Sequence, residues 1–111
     1  MLLKLEGINE TSKYFKYTFC DGQAVKLTIK SRVPENFLED FSYDVKLSPS
    51  IEYVPNLLRT NCMEYLGVIL KRSINSIYVQ SGNVLFLFYS DIKSFKPGMD
   101  VWVVIEKKKV K

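Results

Sequence analysis

The run Val25-Lys26-Leu27-Thr28-Ile29-Lys30 alternates apolar and polar side chains without a break. An extended strand sorts such a run into a dry face of Val25, Leu27 and Ile29 and a wet face of Lys26, Thr28 and Lys30, whereas a helix would scatter both sets around its axis. Just upstream, Phe15, Tyr17 and Phe19 share one face by the same rule. Asp21-Gly22 between the two runs accepts the positive φ of a tight turn. The two runs therefore predict a β-hairpin. Phe41, Tyr43, Val45 and Leu47 alternate with Ser42, Asp44, Lys46 and Ser48 and predict a third strand.

The remaining segments continue the pattern. Ser31 to Asp40 is a connector, with Pro34 unsuited to a central strand and Pro34-Glu35 suited to opening one helical turn. Pro49 to Asn61 has two prolines and no period, a loop of about a dozen residues. Met63 to Lys71 is more continuously apolar, as in a strand covered on both faces or placed at a barrel seam. Ser73 to Ser76 turns the chain. Ile77 to Gln80 and Val84 to Tyr89 are strands broken at Ser81-Gly82-Asn83. Ser90 to Gly98 is a polar connector, and Val101 to Glu106 is the last strand. Leu3 and Leu5 fit a first strand. Roughly six to eight short strands, with no helix longer than a turn or two, predict an all-β fold: a small antiparallel barrel resembling an OB fold, closed or nearly so. One domain is expected over residues 1–106, followed by a basic tail over 107–111.

The chain has 111 residues, 47% of them hydrophobic, enough for one core without disulfides or metal. Its +4 charge is local, because Lys107, Lys108, Lys109 and Lys111 supply four positive charges and leave twelve basic against twelve acidic residues elsewhere. With no histidine, the usual general base, Ser-His-Asp and Cys-His sets and His-containing zinc sites are excluded. Cys20 and Cys62 are far apart and lack metal-ligand spacing, so they read as ordinary buried thiols, with a disulfide as the alternative. Glu35, Glu39 and Asp40 read as solvated loop charges, since adjacent carboxylates do not face each other across a cleft. No Gly-x-Ser-x-Gly elbow, Ser-x-x-Lys frame or phosphate-cradling glycine cluster occurs. The expectation is a chain with no catalytic residues, metal, cofactor or small-molecule substrate. The opening Met1-Leu2-Leu3 meets charge at Lys4 and Glu6, and no apolar run approaches the roughly 18 residues of a membrane helix. A soluble, cytoplasmic protein without a membrane partner is expected.

Two binding roles remain. Small barrels bind single-stranded nucleic acid with aromatic platforms in a basic groove. Aromatics interleave with lysines at Tyr14-Phe15-Lys16-Tyr17 and at Phe95-Lys96, but alternating aromatics are mainly core and the body charge is balanced. A free-standing nucleic-acid-binding barrel is the alternative reading. The other role is that of a structural subunit. Val84-Leu85-Phe86-Leu87-Phe88-Tyr89 and Val101-Trp102-Val103-Val104-Ile105 contain no polar residue, so either a partner or neighbouring loops must cover their second faces.

The C-terminal third points to a family. Ile77-Tyr78-Val79-Gln80-Ser81-Gly82-Asn83-Val84-Leu85-Phe86, a connector with Asp91 and Pro97-Gly98, then Val101-Trp102-Val103-Val104-Ile105-Glu106-Lys107-Lys108, resembles subunit 8 of the archaeal and eukaryotic DNA-dependent RNA polymerases. That family has a Tyr-Val-Ser motif, a Gly-Gly-Leu-Leu turn and strand, and an apolar last strand ending in Lys-Lys. Glu64-Tyr65-Leu66-Gly67-Val68-Ile69 is similar to its preceding strand. Gly82-Asn83 stands where the family has two glycines. The late start and a Pro49 to Asn61 loop without the eukaryotic acidic insertion suit a short archaeal member.

The resemblance implies an OB-like barrel on the outside of the polymerase, against the N-terminal part of the largest subunit, as a non-catalytic component supporting assembly for transcription. Relatives tend to carry a basic residue where Leu87 stands, which implies that Leu85, Leu87 and Tyr89 face outward and Val84, Phe86 and Phe88 inward. On the last strand Val101, Val103 and Ile105 are then inside, with Trp102 and Val104 outside. The expected partner contact comprises Gly82, Asn83, Leu85, Leu87, Tyr89, Trp102 and Val104, although Trp102 covering the barrel end is an equal reading. Direct nucleic-acid contact is expected to be weak or absent, with Lys107, Lys108, Lys109 and Lys111 the candidates for touching nucleic acid or an acidic partner.

Overall fold

In a computed structural model the hairpin forms where the alternation is cleanest. The structure describes residues 1–39, 41–55, 61–89 and 95–108. Strands β2 (Phe15–Cys20) and β3 (Val25–Ser31) pair antiparallel, from Phe15 opposite Ser31 to Phe19 opposite Leu27. The turn is held by Asp21, whose Oδ1 accepts the amides of Gln23 and Ala24 at 3.0 Å each. These bonds and nearby Lys26 hold its carboxyl below the usual aspartate range. Near the turn the register slips, so that Cys20 opposes Val25. This bulge corrects the expected face of β3: Leu27 and Ile29 are fully buried, but Val25 is exposed. Thr28, expected to be wet, is buried between its register partners Thr18 and Leu87.

The remaining strands are β1 (Leu2–Glu10), β4 (Ser42–Pro49), β5 (Cys62–Arg72), β6 (Ile77–Ser81), β7 (Val84–Phe88) and β8 (Asp100–Lys108). They close an antiparallel barrel in the order β1-β2-β3-β7-β6-β5-β8-β4. Every inward position anticipated on β7 and β8 is buried: Val84, Phe86, Phe88, Val101, Val103 and Ile105. β8 runs on to Lys108, with Lys107 opposite Tyr43 and Lys108 opposite Ser42, so these two lysines belong to the barrel rather than to a tail. Lys109 and Lys111 lie outside the described residues.

Among its described residues the connector after β3 contains no helical turn; a 3-10 turn occurs instead at Ser50–Glu52. The connector closes one end of the barrel with Phe37. Its ring meets Tyr17, Phe19 and Tyr43 edge-on at centroid distances of 5.1, 5.3 and 5.7 Å. Its backbone is satisfied by core tyrosines: the Glu35 amide donates to the Tyr17 hydroxyl at 2.9 Å and the Leu38 amide to that of Tyr43 at 2.8 Å.

Candidate functional site

On β7, Leu85 and Leu87 point outward and are half-buried, while Tyr89 lies just past the strand and is 40% exposed. On β8 the outward residues differ from each other. Trp102 is half-buried, whereas Val104 is only 5% exposed although it lies outside the core cluster. The segment after the 3-10 turn provides the cover. Tyr53 places its ring 6.0 Å from Trp102, donates its hydroxyl to Glu64 Oε2 at 2.7 Å, and lies 5.9 Å from Lys46 Nζ. Lys46 and Glu64 are the register partners of Val104 on its two sides, so Tyr53 spans Val104. Val104, expected as a contact residue, is thus covered by the chain itself.

β5 departs further from expectation. Its inner residues Met63, Tyr65, Gly67 and Ile69 meet the core, but its outer face is open. Leu66, Val68 and Leu70 are 52, 39 and 54% exposed, so this strand is not covered on both sides. Register joins these residues to the expected set. Leu66 opposes Trp102, Val68 opposes Gln80, Gln80 opposes Leu85, and Tyr78 opposes Leu87. Trp102, Leu85 and Leu87, on strands that are not neighbours, therefore share one outer face running across β8, β5, β6 and β7, mainly apolar but carrying Gln80 and Tyr78 on β6, with Lys71 Nζ 4.5 Å from the Tyr78 ring centroid. The Gly82-Asn83 turn borders it. Gly82 has a φ of +55°, Gln80 Nε2 donates to the Gly82 carbonyl at 2.6 Å, and Ser81 Oγ donates to the Leu66 carbonyl at 2.7 Å.

The lysines at the end of β8 are engaged locally. Lys107 Nζ lies 4.4 Å from the Phe41 ring centroid, and Lys108 pairs with Glu106 at 2.7 Å. Phe15, Tyr17, Phe19 and Phe95 from the aromatic–lysine segments pack in or against the core. Tyr14 remains half-buried outside it.

The polar groups inside the barrel mouth act as structural partners. Tyr65 donates its hydroxyl to Glu35 Oε1 at 2.9 Å, and burial, followed by the carboxylate of Glu35, pushes the phenol well above the ordinary tyrosine range. A phenol so raised is a fixed hydrogen-bond donor at neutral pH. Cys20 and Cys62 are unbridged and half-buried, and burial, with Glu6 and Asp21 adding to it, raises the Cys20 thiol. Among the described residues no cluster of Cys, Asp or Glu is arranged to hold a metal ion, and no helix is long and apolar enough to cross a membrane. No family model, curated protein or solved structure matches this chain.

Proposed function

We propose that this chain is a non-catalytic structural subunit of an archaeal, cytoplasmic DNA-directed RNA polymerase. It docks at the periphery on the N-terminal part of the largest subunit and supports assembly for transcription. The observation that carries this reading is the outer face of Leu66, Val68, Leu70, Leu85, Leu87 and Trp102, apolar side chains on β5, β7 and β8 joined through the outward residues of β6. Several exposed apolar side chains gathered on one face of a folded chain usually mark a partner site. The resemblance of the C-terminal strands to polymerase subunit 8 selects the partner.

The test is co-migration on size exclusion with the N-terminal half of an archaeal largest subunit at moderate salt. A stable complex is expected. Leu66→Ala and Leu87→Ala should each weaken it by about 2 kcal/mol, roughly thirtyfold, with near-UV circular dichroism unchanged. Absence of a complex with the unaltered chain would overturn the reading, as would equal binding by both variants.

A further inference from the structure

The outer face of β2 and β3 has a different chemistry. Lys16 and Lys30 are direct register partners, and both point outward because their neighbours Tyr17 and Ile29 are core residues. Like charges placed opposite each other cost a sheet stability. Arg32 stands two residues beyond Lys30, and Lys13 and Tyr14 lead into β2. None of these four cations is ion-paired among the described residues. Opposite Lys16 on the other side is Asn9; the nearest acid by register is Glu10, opposite Phe15. A formally balanced body therefore concentrates positive charge on one strip.

The strip borders a groove of about 320 Å³. Tyr14, Lys30 and Arg32 form one side, and Gln80, Asn83 and Leu85 form the other. Pairing fixes both sides: Lys30 opposes Leu85, Leu85 opposes Gln80, and the Arg32 amide donates to the Asn83 carbonyl at 3.1 Å. Lys30 Nζ lies over the Tyr14 ring, 5.2 Å from its centroid, so one face of the ring carries the cation and the two groups are held together. Leu85 adds an apolar floor at the border with the docking face.

We infer that this groove binds a single-stranded nucleic acid, with Lys30 and Arg32 in the groove and Lys16 on the adjoining strip holding backbone phosphates and Tyr14 stacking on a base. An acidic peptide would satisfy the cations but leave the Tyr14 face unused. A duplex keeps its bases stacked inside, where that ring cannot reach them. A single strand supplies both groups, backbone phosphates for the cations and an unstacked base for the ring. The groove shares Gln80, Asn83 and Leu85 with the apolar face and its border, so binding is read on the chain without a partner on that face.

The test is fluorescence anisotropy of the full chain with labelled oligo-dT and oligo-U of about 12 nucleotides. Binding should weaken with salt, at a log–log slope of about −2 to −3 for three or four phosphate contacts. Lys16→Gln/Lys30→Gln should lower affinity at least tenfold and flatten the slope. Tyr14→Ala should lower it about fivefold at unchanged slope. Preference for either probe assigns the source as DNA or RNA, and equal binding assigns recognition to phosphate and stacking alone. Lys109→Gln/Lys111→Gln controls for the charge of the chain end. Loss of binding in that control but not in Lys16→Gln/Lys30→Gln overturns the site. So does equal competition by poly-glutamate, which makes an acidic peptide the ligand, or an absence of binding at low salt.

Discussion

Tyr65 shows how little chemistry a buried polar residue need imply. Its ring packs edge-on against Phe86 at 4.9 Å and its hydroxyl reaches Glu35, tying the connector that closes the barrel to the wall. Because burial raises the phenol above its unfolded value, the contribution to stability is fully present below about pH 10 and is lost as the pH rises through the folded value. Chemical denaturation across alkaline pH should therefore show stability falling above about pH 10, and Tyr65→Phe should fall less steeply. At neutral pH Tyr65→Phe should cost about 1–2 kcal/mol, since the half-buried Glu35 carboxylate loses its donor. Parallel pH profiles for the two proteins would remove Tyr65 from this role.

β8 and the segment that crosses it make a unit whose state can be read directly, because Trp102 is the single tryptophan. With Tyr53 6.0 Å from the indole and spanning Val104, Tyr53→Ala should expose both. The emission maximum should shift to the red while near-UV ellipticity from the core tyrosines persists. An unchanged spectrum would mean that Tyr53 does not cover the indole. The same elements show what could be read before folding. Period two separated Phe86 and Phe88 from Leu85 and Leu87, because a strand's two faces are a local property, but which pair points outward came from the resemblance and not from the alternation. Val25 escaped that rule through a bulge between β2 and β3, and Leu70 sits in another where Ile69 opposes Val79 but Lys71 opposes Tyr78. Bulges depend on the partner strand, so one strand's alternation does not reveal them. Coverage is likewise non-local. Val104 and Leu66 both read as outward or apolar in the chain, yet a tyrosine about fifty positions upstream in sequence covers the first and nothing described covers the second. The paired charge of Lys16 and Lys30 was hidden similarly, since a balanced total says nothing of which lysines meet across a hairpin.

At the scale of the whole barrel, two three-stranded meanders, β1-β2-β3 and β7-β6-β5, are joined by β3 against β7 and closed by β8 and β4. The joins are unequal. β4 matches β8 from Ser42 through Pro49, whereas β1 meets β4 only from Leu2 to Lys4, opposite Asp44 to Ser42. Beyond Leu5, whose amide still donates to the Phe41 carbonyl, β1 has no further pairing with β4 among the described residues, and its far end, Ile8 to Glu10, pairs with β2. The β1–β4 join is therefore the seam at which the barrel should open first, since local opening starts where the fewest hydrogen bonds and buried contacts must break. The apolar face lies on β7, β6, β5 and β8, away from that seam, and the basic strip lies on β2 and β3. A partner can thus meet a wall that stays closed while the seam breathes. Native-state hydrogen exchange should show the seam amides, including Leu5 bonded to the Phe41 carbonyl and Val45 to that of Met1, exchanging at least tenfold faster than the amides between β4 and β8. Adding the proposed partner, the N-terminal half of an archaeal polymerase largest subunit, should slow exchange on β5 to β8 and leave the seam rates nearly unchanged. Equal protection around the ring in the free chain would mean that the barrel opens only by unfolding as a whole.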